Sequence, residues 1–205
     1  MKKLLIASLV VIGITSQAQA GIHLEPYLGY EISSTFTYKA DSTLEYESNS
    51  IELGGRVGYE LLGLSFGLDY NFTPTSFDID RTKPSKASGN VDYKKNNLGA
   101  FLGFELPMVR IWGSYYFSSN INYDKDRDTV SGGDVTGDEL SGSGYGIGAG
   151  FTGLPFISIN LEYRNSTYNE YFDKSANSTT KTKDTTSGEP KVSSILLSIS
   201  APFHL

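Results

Sequence analysis

The sequence predicts an all-β protein, an eight-stranded antiparallel up-and-down transmembrane β-barrel. Three observations carry the prediction. Apolar residues recur at every second position in eight stretches of the chain, a period that belongs to strands and not to helices. An export leader precedes all of them. The links between them alternate between tight turns and long polar segments, beginning with a long one.

The leader occupies residues 1–20. Lys2 and Lys3 supply a positive start, Leu4 to Ile14 an apolar core, and Ala18-Gln19-Ala20 a small-residue cleavage site before Gly21, the pattern of a secretory signal. The apolar core is shorter than the about 20 residues a membrane-spanning helix requires. Residues 21–205 then form one domain. Nothing in them reads as a spanning helix, so a membrane location must rest on strands, because only helices and closed barrels satisfy every backbone polar group in lipid. A mean hydropathy of −0.24 is compatible with this, since a barrel strand shows lipid only alternate residues. The chain has no cysteine, hence no disulfide framework or thiolate chemistry. Its net charge of −6 falls further once Lys2 and Lys3 are removed, which argues against nucleic acid as a partner.

The first strand sets Ile22, Leu24, Leu28, Tyr30, Ile32 and Phe36 against His23, Glu25, Gly29, Glu31 and Ser33. The second sets Ile51, Leu53, Val57 and Tyr59 against Glu52, Gly54, Arg56, Gly58 and Glu60. The third opposes Leu64, Phe66, Leu68, Tyr70 and Phe72 to Ser65, Gly67, Asp69 and Asn71, and the fourth opposes Leu98, Ala100, Leu102 and Phe104 to Asn97, Gly99, Gly103 and Glu105. In the fifth, Val109, Ile111, Tyr115 and Phe117 face away from Arg110, Trp112, Ser114 and Tyr116. The sixth pairs Tyr145, Ile147, Ala149 and Phe151 with a row of Gly144, Gly146, Gly148 and Gly150. The seventh has Ile157, Ile159, Leu161 and Tyr163 against Ser158, Asn160, Glu162 and Arg164. The eighth has Ile195, Leu197, Ile199, Ala201, Phe203 and Leu205 against Ser194, Ser198, Ser200 and His204, with Leu196 and Pro202 as exceptions. A tilted crossing of the hydrocarbon layer takes about 9–11 residues. Tight turns fall at 60–63, 105–108 and 152–155, and long polar links at 39–49, 73–96, 118–143 and 165–193, the layout of a barrel with short turns on one rim and long loops on the other.

Alternation alone leaves open which face points inward. A soluble barrel of the lipocalin kind would turn its apolar face to a ligand cavity and its polar face to water. A water-facing exterior should be rich in Lys and Glu, yet no Lys falls in any of the eight stretches and the polar face is mainly Gly and Ser. Small residues suit the crowded interior of a narrow barrel. Aromatics also gather at the ends of the apolar faces: Tyr59, Phe104, Phe151 and Phe203 near the short turns, and Phe36, Tyr38, Phe72, Phe117 and Tyr163 near the long links. Two such girdles mark membrane interfaces.

With leader, strands, loop asymmetry and C-terminal strand in view, residues 21–205 resemble the small outer-membrane barrels of the OmpA, OmpX and OmpW type. The likeness is architectural and rests on no subfamily motif. It stops at the barrel, without the peptidoglycan-binding domain of OmpA-type proteins, and the usual terminal Phe is replaced by Phe203-His204-Leu205. The resemblance implies a monomer integral to the outer membrane, in contact with lipid and lipopolysaccharide and recognised by the assembly machinery through its last strand. It implies a role in envelope integrity, surface interaction or restricted passage of small solutes.

The inward charges form the candidate site: Glu25, Glu31, Glu52, Arg56, Asp69, Glu105, Arg110, Glu162 and Arg164. They could line a narrow gated pore of the OmpW kind, or form a salt-bridged plug. Eight strands leave an interior just wide enough for its side chains, which favours the plug. Arg56 and Arg110 then need carboxylate partners, with Glu52 and Asp69 the nearest in strand order. The glycines from Gly144 to Gly150 lack the Lys-Ser/Thr of a phosphate loop and instead give room to Trp112 and Tyr116. Asp124, Asp126 and Asp128 begin like a calcium loop, but Thr129 and Val135 stand where that loop needs Gly and Glu, so the reading is a solvated acidic segment with no bound metal. Barrels of this size that act as enzymes use a His near the outer leaflet, whereas His23 and His204 fall at the short-turn rim. The expectation is a protein without catalytic residues or cofactor. Protease added to intact cells is expected to cut within 73–96, 118–143 or 165–193 and to spare the strands; cleavage confined to 60–63 or 152–155 would mean that the barrel is inverted or does not lie in the membrane.

Overall fold

A computed structural model describes residues 20–37, 45–74, 79–83, 87–89, 91–126, 137–172, 182–183 and 189–205. The leader therefore lies outside the described residues apart from Ala20, as do Tyr38 and Asp128. The strands are β1 (Gly21–Thr37), β2 (Glu45–Leu61), β3 (Leu64–Phe72), β4 (Ile79–Lys83), β5 (Ala87–Gly89), β6 (Val91–Leu106), β7 (Val109–Asp126), β8 (Glu139–Phe151), β9 (Ser158–Phe172), β10 (Thr182–Lys183), β11 (Lys191–Ser200) and β12 (Phe203–His204). Among the described residues there is no helix.

Eight of these strands, β1, β2, β3, β6, β7, β8, β9 and β11, pair antiparallel in that order, and β1 closes the ring against β11. Closure matters in lipid because it leaves no unpaired strand edge. The short strand β12 carries the last chain segment along the start of β1, with His204 opposite His23 and Phe203 opposite Leu24. The ribbon of β4 and β5 extends from the upper part of β2, and β10 lies on β9. The turn from β2 to β3 is a two-residue hairpin with Leu62 and Gly63 both at positive φ, 55° and 77°, the geometry that matches the twist of the flanking strands. Met108, after Pro107, and Phe156 give the other two short links their left-handed residue.

The faces follow the alternation. Leu102, Ile111, Ile159 and Leu197 are 57%, 48%, 45% and 45% exposed in the isolated chain, and they belong to an apolar belt that continues around the ring through Leu28, Val57, Leu68 and Ile147. A contiguous apolar surface of this extent needs lipid, not water. Tyr59, Phe104, Phe151, Phe203, Phe72, Phe117 and Tyr163 point outward as the girdles require.

Two expectations need correction. The strands run well past the apolar stretches: β6 starts at Val91, β7 continues to Asp126, β9 to Phe172, and β11 begins at Lys191. Above the hydrocarbon layer the outer face meets water and has no reason to be apolar, so pairing continues where the hydrophobic period has vanished. Phe36, assigned to the outer girdle, is instead 5% exposed and lies inside. A register irregularity in β1 between Glu31 and Ser34 reverses the facing of the strand beyond it, so that Ser34 and Phe36 turn inward. Leu196 keeps strict alternation and is also buried inside.

Placing Arg at Leu102, Ile111, Ile159 or Leu197 is expected to destabilise the barrel by about 2–4 kcal/mol near the midplane, measured by denaturant titration in lipid vesicles. Tolerance at all four would overturn the membrane orientation.

Candidate functional site

Arg56 sits in the middle of the lumen because β2 places it directly between Glu25 of β1 and Asp69 of β3 in the strand register. Its guanidinium donates from Nε to Asp69 Oδ2 at 3.2 Å, from Nη1 to Glu25 Oε2 at 3.3 Å and from Nη2 across the barrel to Glu162 Oε2 at 2.9 Å. It lies over the Trp112 ring at 4.4 Å and the Tyr27 ring at 5.1 Å, so its faces are covered by aromatics while its edges meet carboxylates.

Two further arginines extend this layer. Arg164 of β9 donates from Nε to Glu162 Oε1 at 2.7 Å and from Nη1 to both oxygens of Glu52 at 2.6 and 2.7 Å. Arg110 of β7 reaches the opposite wall of the ring to bond Glu25, and its Nη1 is 3.6 Å from Glu105. Trp112 Nε1 donates to Glu162, Tyr27 and Ser114 to Asp69, and Tyr116 to both Asp69 and Glu162. Glu25, Glu31, Glu52, Arg56, Asp69, Arg110, Glu162 and Arg164 are all buried, and Glu105 is half-buried at the short-turn end.

The partners differ in part from strand-order reasoning. Asp69 does serve Arg56, but Glu52 serves Arg164, and Arg110 takes Glu25. Strand order sees only neighbours along the wall, whereas long side chains in a narrow barrel meet across it. Lys95, which falls in the long polar link 73–96 by sequence, is a buried inward residue of β6, donating to Glu31 Oε1 at 2.6 Å. The alternation Tyr93, Lys95, Asn97, Gly99 carried that signal. Tyr27, likewise unassigned, falls in the series His23, Glu25, Tyr27, Gly29. The glycine row serves its neighbours unevenly: a Cβ at Gly148 would collide with the Trp112 ring, as one at Gly54 would with Tyr27, whereas Tyr116 finds its space beside Gly99.

Nearer the long-link end lie two polar groups: Lys95 and Ser50 both donate to Glu31, and Asn71, Asn97, Ser119 and Tyr168 form a second hydrogen-bonded chain. Beyond them, Phe36, Tyr93, Ile121, Leu140, Tyr168 and Val192 pack into an apolar cluster inside the ring. The lumen thus holds an ionic layer and an apolar one in series.

A closed antiparallel ring with an apolar belt outside, aromatic girdles and ion pairs within is an outer-membrane β-barrel. The chain belongs to the outer membrane protein beta-barrel domain family, whose model matches residues 6–203. Among solved structures it is similar to Ail, the attachment invasion locus protein of Yersinia pestis, in complex with the heparin analogue sucrose octasulfate. There the identity is 16% and the TM-score 0.51, over 89% of this chain and 99% of that one. Neisserial surface protein A shares 14% identity with a TM-score of 0.49, over 90% of this chain and 99% of that one. OprG from Pseudomonas aeruginosa shares 10% with a TM-score of 0.48, over 91% and 98%. No curated protein matches the sequence significantly.

Arg56→Ala would leave three buried carboxylates without their shared cation and is expected to cost about 3–5 kcal/mol, the range for breaking a buried ion pair. Arg110→Ala should cost less, because Arg110 Nε and Nη1 make no hydrogen bond as they stand. Thermal unfolding in detergent micelles measures both.

Proposed function

We propose that this protein is a non-conducting, non-enzymatic outer-membrane barrel that presents its long links at the cell surface in an envelope-structural or surface-interaction role. The observation that supports it is the double filling of the lumen. Arg56, Arg110 and Arg164 cross-brace the middle of the ring through Glu25, Asp69, Glu162 and Glu52, and the Phe36–Tyr93–Tyr168 cluster fills its upper end. An eight-stranded barrel has no interior to spare once such side chains are in place. An ion entering the middle would have to displace charge pairs that the low-dielectric interior holds strongly.

The non-catalytic part of the reading draws on the placement of His23 and His204 at the rim of the short turns, away from the long links. The barrel is proposed to be a monomer in contact with lipid and lipopolysaccharide, with its last strand recognised by the assembly machinery, and 1–20 to be a cleaved leader. The wild-type protein reconstituted in planar bilayers is expected to give no discrete single-channel steps. Sustained stepwise conductance would replace this reading with a narrow solute pore of the OmpW type.

A further inference from the structure

The chain contains two histidines, and the fold brings them side by side. His23 is the third residue of β1 and His204 lies in β12, opposite one another where the first and last strands meet. Glu60, near the end of β2, completes a group at the short-turn rim. His23 Nδ1 and His204 Nε2 are 3.4 Å apart, His204 Nε2 and Glu60 Oε2 2.7 Å, and His23 Nδ1 and Glu60 Oε2 3.8 Å. Tetrahedral zinc with bonds of 2.0–2.1 Å places its donor atoms about 3.3–3.5 Å from one another. The three separations bracket that edge length, and the three atoms all lie within 4.8 Å of one another.

Three further observations point to a ligand. Glu60 is 4% exposed, and its Oε2 faces both rings, 2.7 Å from the His204 nitrogen and 3.8 Å from that of His23, so a buried carboxylate oxygen is aimed into the group, where it pairs with His204. His23 is fully buried, its ring set against Phe101 at 5.7 Å, and its other nitrogen, Nε2, lies 3.4 Å from Glu25 Oε2. A carboxylate behind the far nitrogen of a histidine is the partner that fixes the tautomer and leaves the near nitrogen free to bind metal. Glu25 is itself anchored by Arg56 and Arg110. His204, in contrast, has a side chain 36% exposed, which provides an entry path and an open fourth position for water.

We propose that His23, Glu60 and His204 form a binding site for a divalent transition-metal ion of the zinc class at the seam where the barrel closes. Two imidazoles and one carboxylate suit Zn²⁺ and its N/O-seeking neighbours, and disfavour Ca²⁺ and Mg²⁺, which take oxygen ligands. Bound there, the ion ties β1, β2 and β12 together. It adds metal–ligand bonds to the backbone pair that already joins Ile22 and Leu205 by hydrogen bonds of 2.8 and 3.0 Å, and so resists fraying of the last strand from the first.

The test uses the folded barrel in detergent micelles, free of any affinity tag, titrated with Zn²⁺ by calorimetry and with Co²⁺ followed by visible absorption. The wild type is expected to take one Zn²⁺ per chain and to develop the intense d–d bands of four-coordinate Co²⁺. Its unfolding temperature should rise with saturating Zn²⁺. His204→Ala, a change at a half-exposed side chain, should lower affinity by at least about a hundredfold, the upper end of the loss seen when an outer-shell partner is removed. It should also abolish the thermal shift while keeping the heat-modifiable gel mobility of a folded barrel. His23→Ala is expected to lose affinity to the same extent; should it fail to fold, Glu60→Gln serves in its place, with the same expected loss. A wild type that binds no Zn²⁺ saturably, or a His204→Ala variant that binds it undiminished, overturns the site; the second result would assign the binding to surface carboxylates.

Discussion

The ion pairs that Arg56 makes with Glu25, Asp69 and Glu162 tie three walls of the barrel to one guanidinium. Much of the interior is arranged around that contact. A ring of eight strands has an interior that must be filled, and the residues that fill this one are charged, so each must find a partner or leave a desolvated ion behind. Arginine is suited to the task because its planar fork can satisfy several carboxylates at once while an aromatic ring covers its face. Trp112 and Tyr27 provide those faces, and glycines at 148 and 54 provide the space for the rings. Replacing Arg56 by an apolar residue would therefore disturb carboxylates on three strands, not one pair.

The interior is graded along the barrel axis. At the short-turn end, His204 and Glu105 are partly exposed while His23 and Glu60 are buried; in the middle the ion pairs are buried; toward the long links, amide and hydroxyl groups give way to an apolar cluster. The grading follows from what each level must exclude. Water reaching the middle would weaken the ion pairs by raising the local dielectric, and the apolar cluster stands between them and the side of the long links. The register irregularity in β1 is what delivers Phe36 to that cluster, so a local change in one strand supplies a residue to the packing inside the ring.

The outer face of the membrane part was legible residue by residue. Alternation placed Leu102, Ile111, Ile159 and Leu197 outside and Glu25, Arg56 and Asp69 inside, because lipid and lumen impose opposite chemistry on successive residues. The legible part ended where the membrane ended. Lys95 and Tyr93 were hidden because their outward neighbours Lys94 and Asn96 stand on a paired strand whose outer surface is not apolar. Phe36 was misplaced because a one-residue irregularity reverses facing, and nothing in the residues around Ile32 announces it.

What the sequence by itself determined is the class of fold and the two faces of its strands, since both are written in a period of two that needs only local chemistry. What only the tertiary structure decided is which charges meet. Arg110 with Glu25, Arg164 with Glu52, Lys95 with Glu31 and His23 with His204 are contacts between residues far apart in the chain. The first three reach across the ring and the last lies over the seam that closes it. Their pairing depends on ring closure, strand stagger and side-chain reach, quantities that arise when the last strand meets the first.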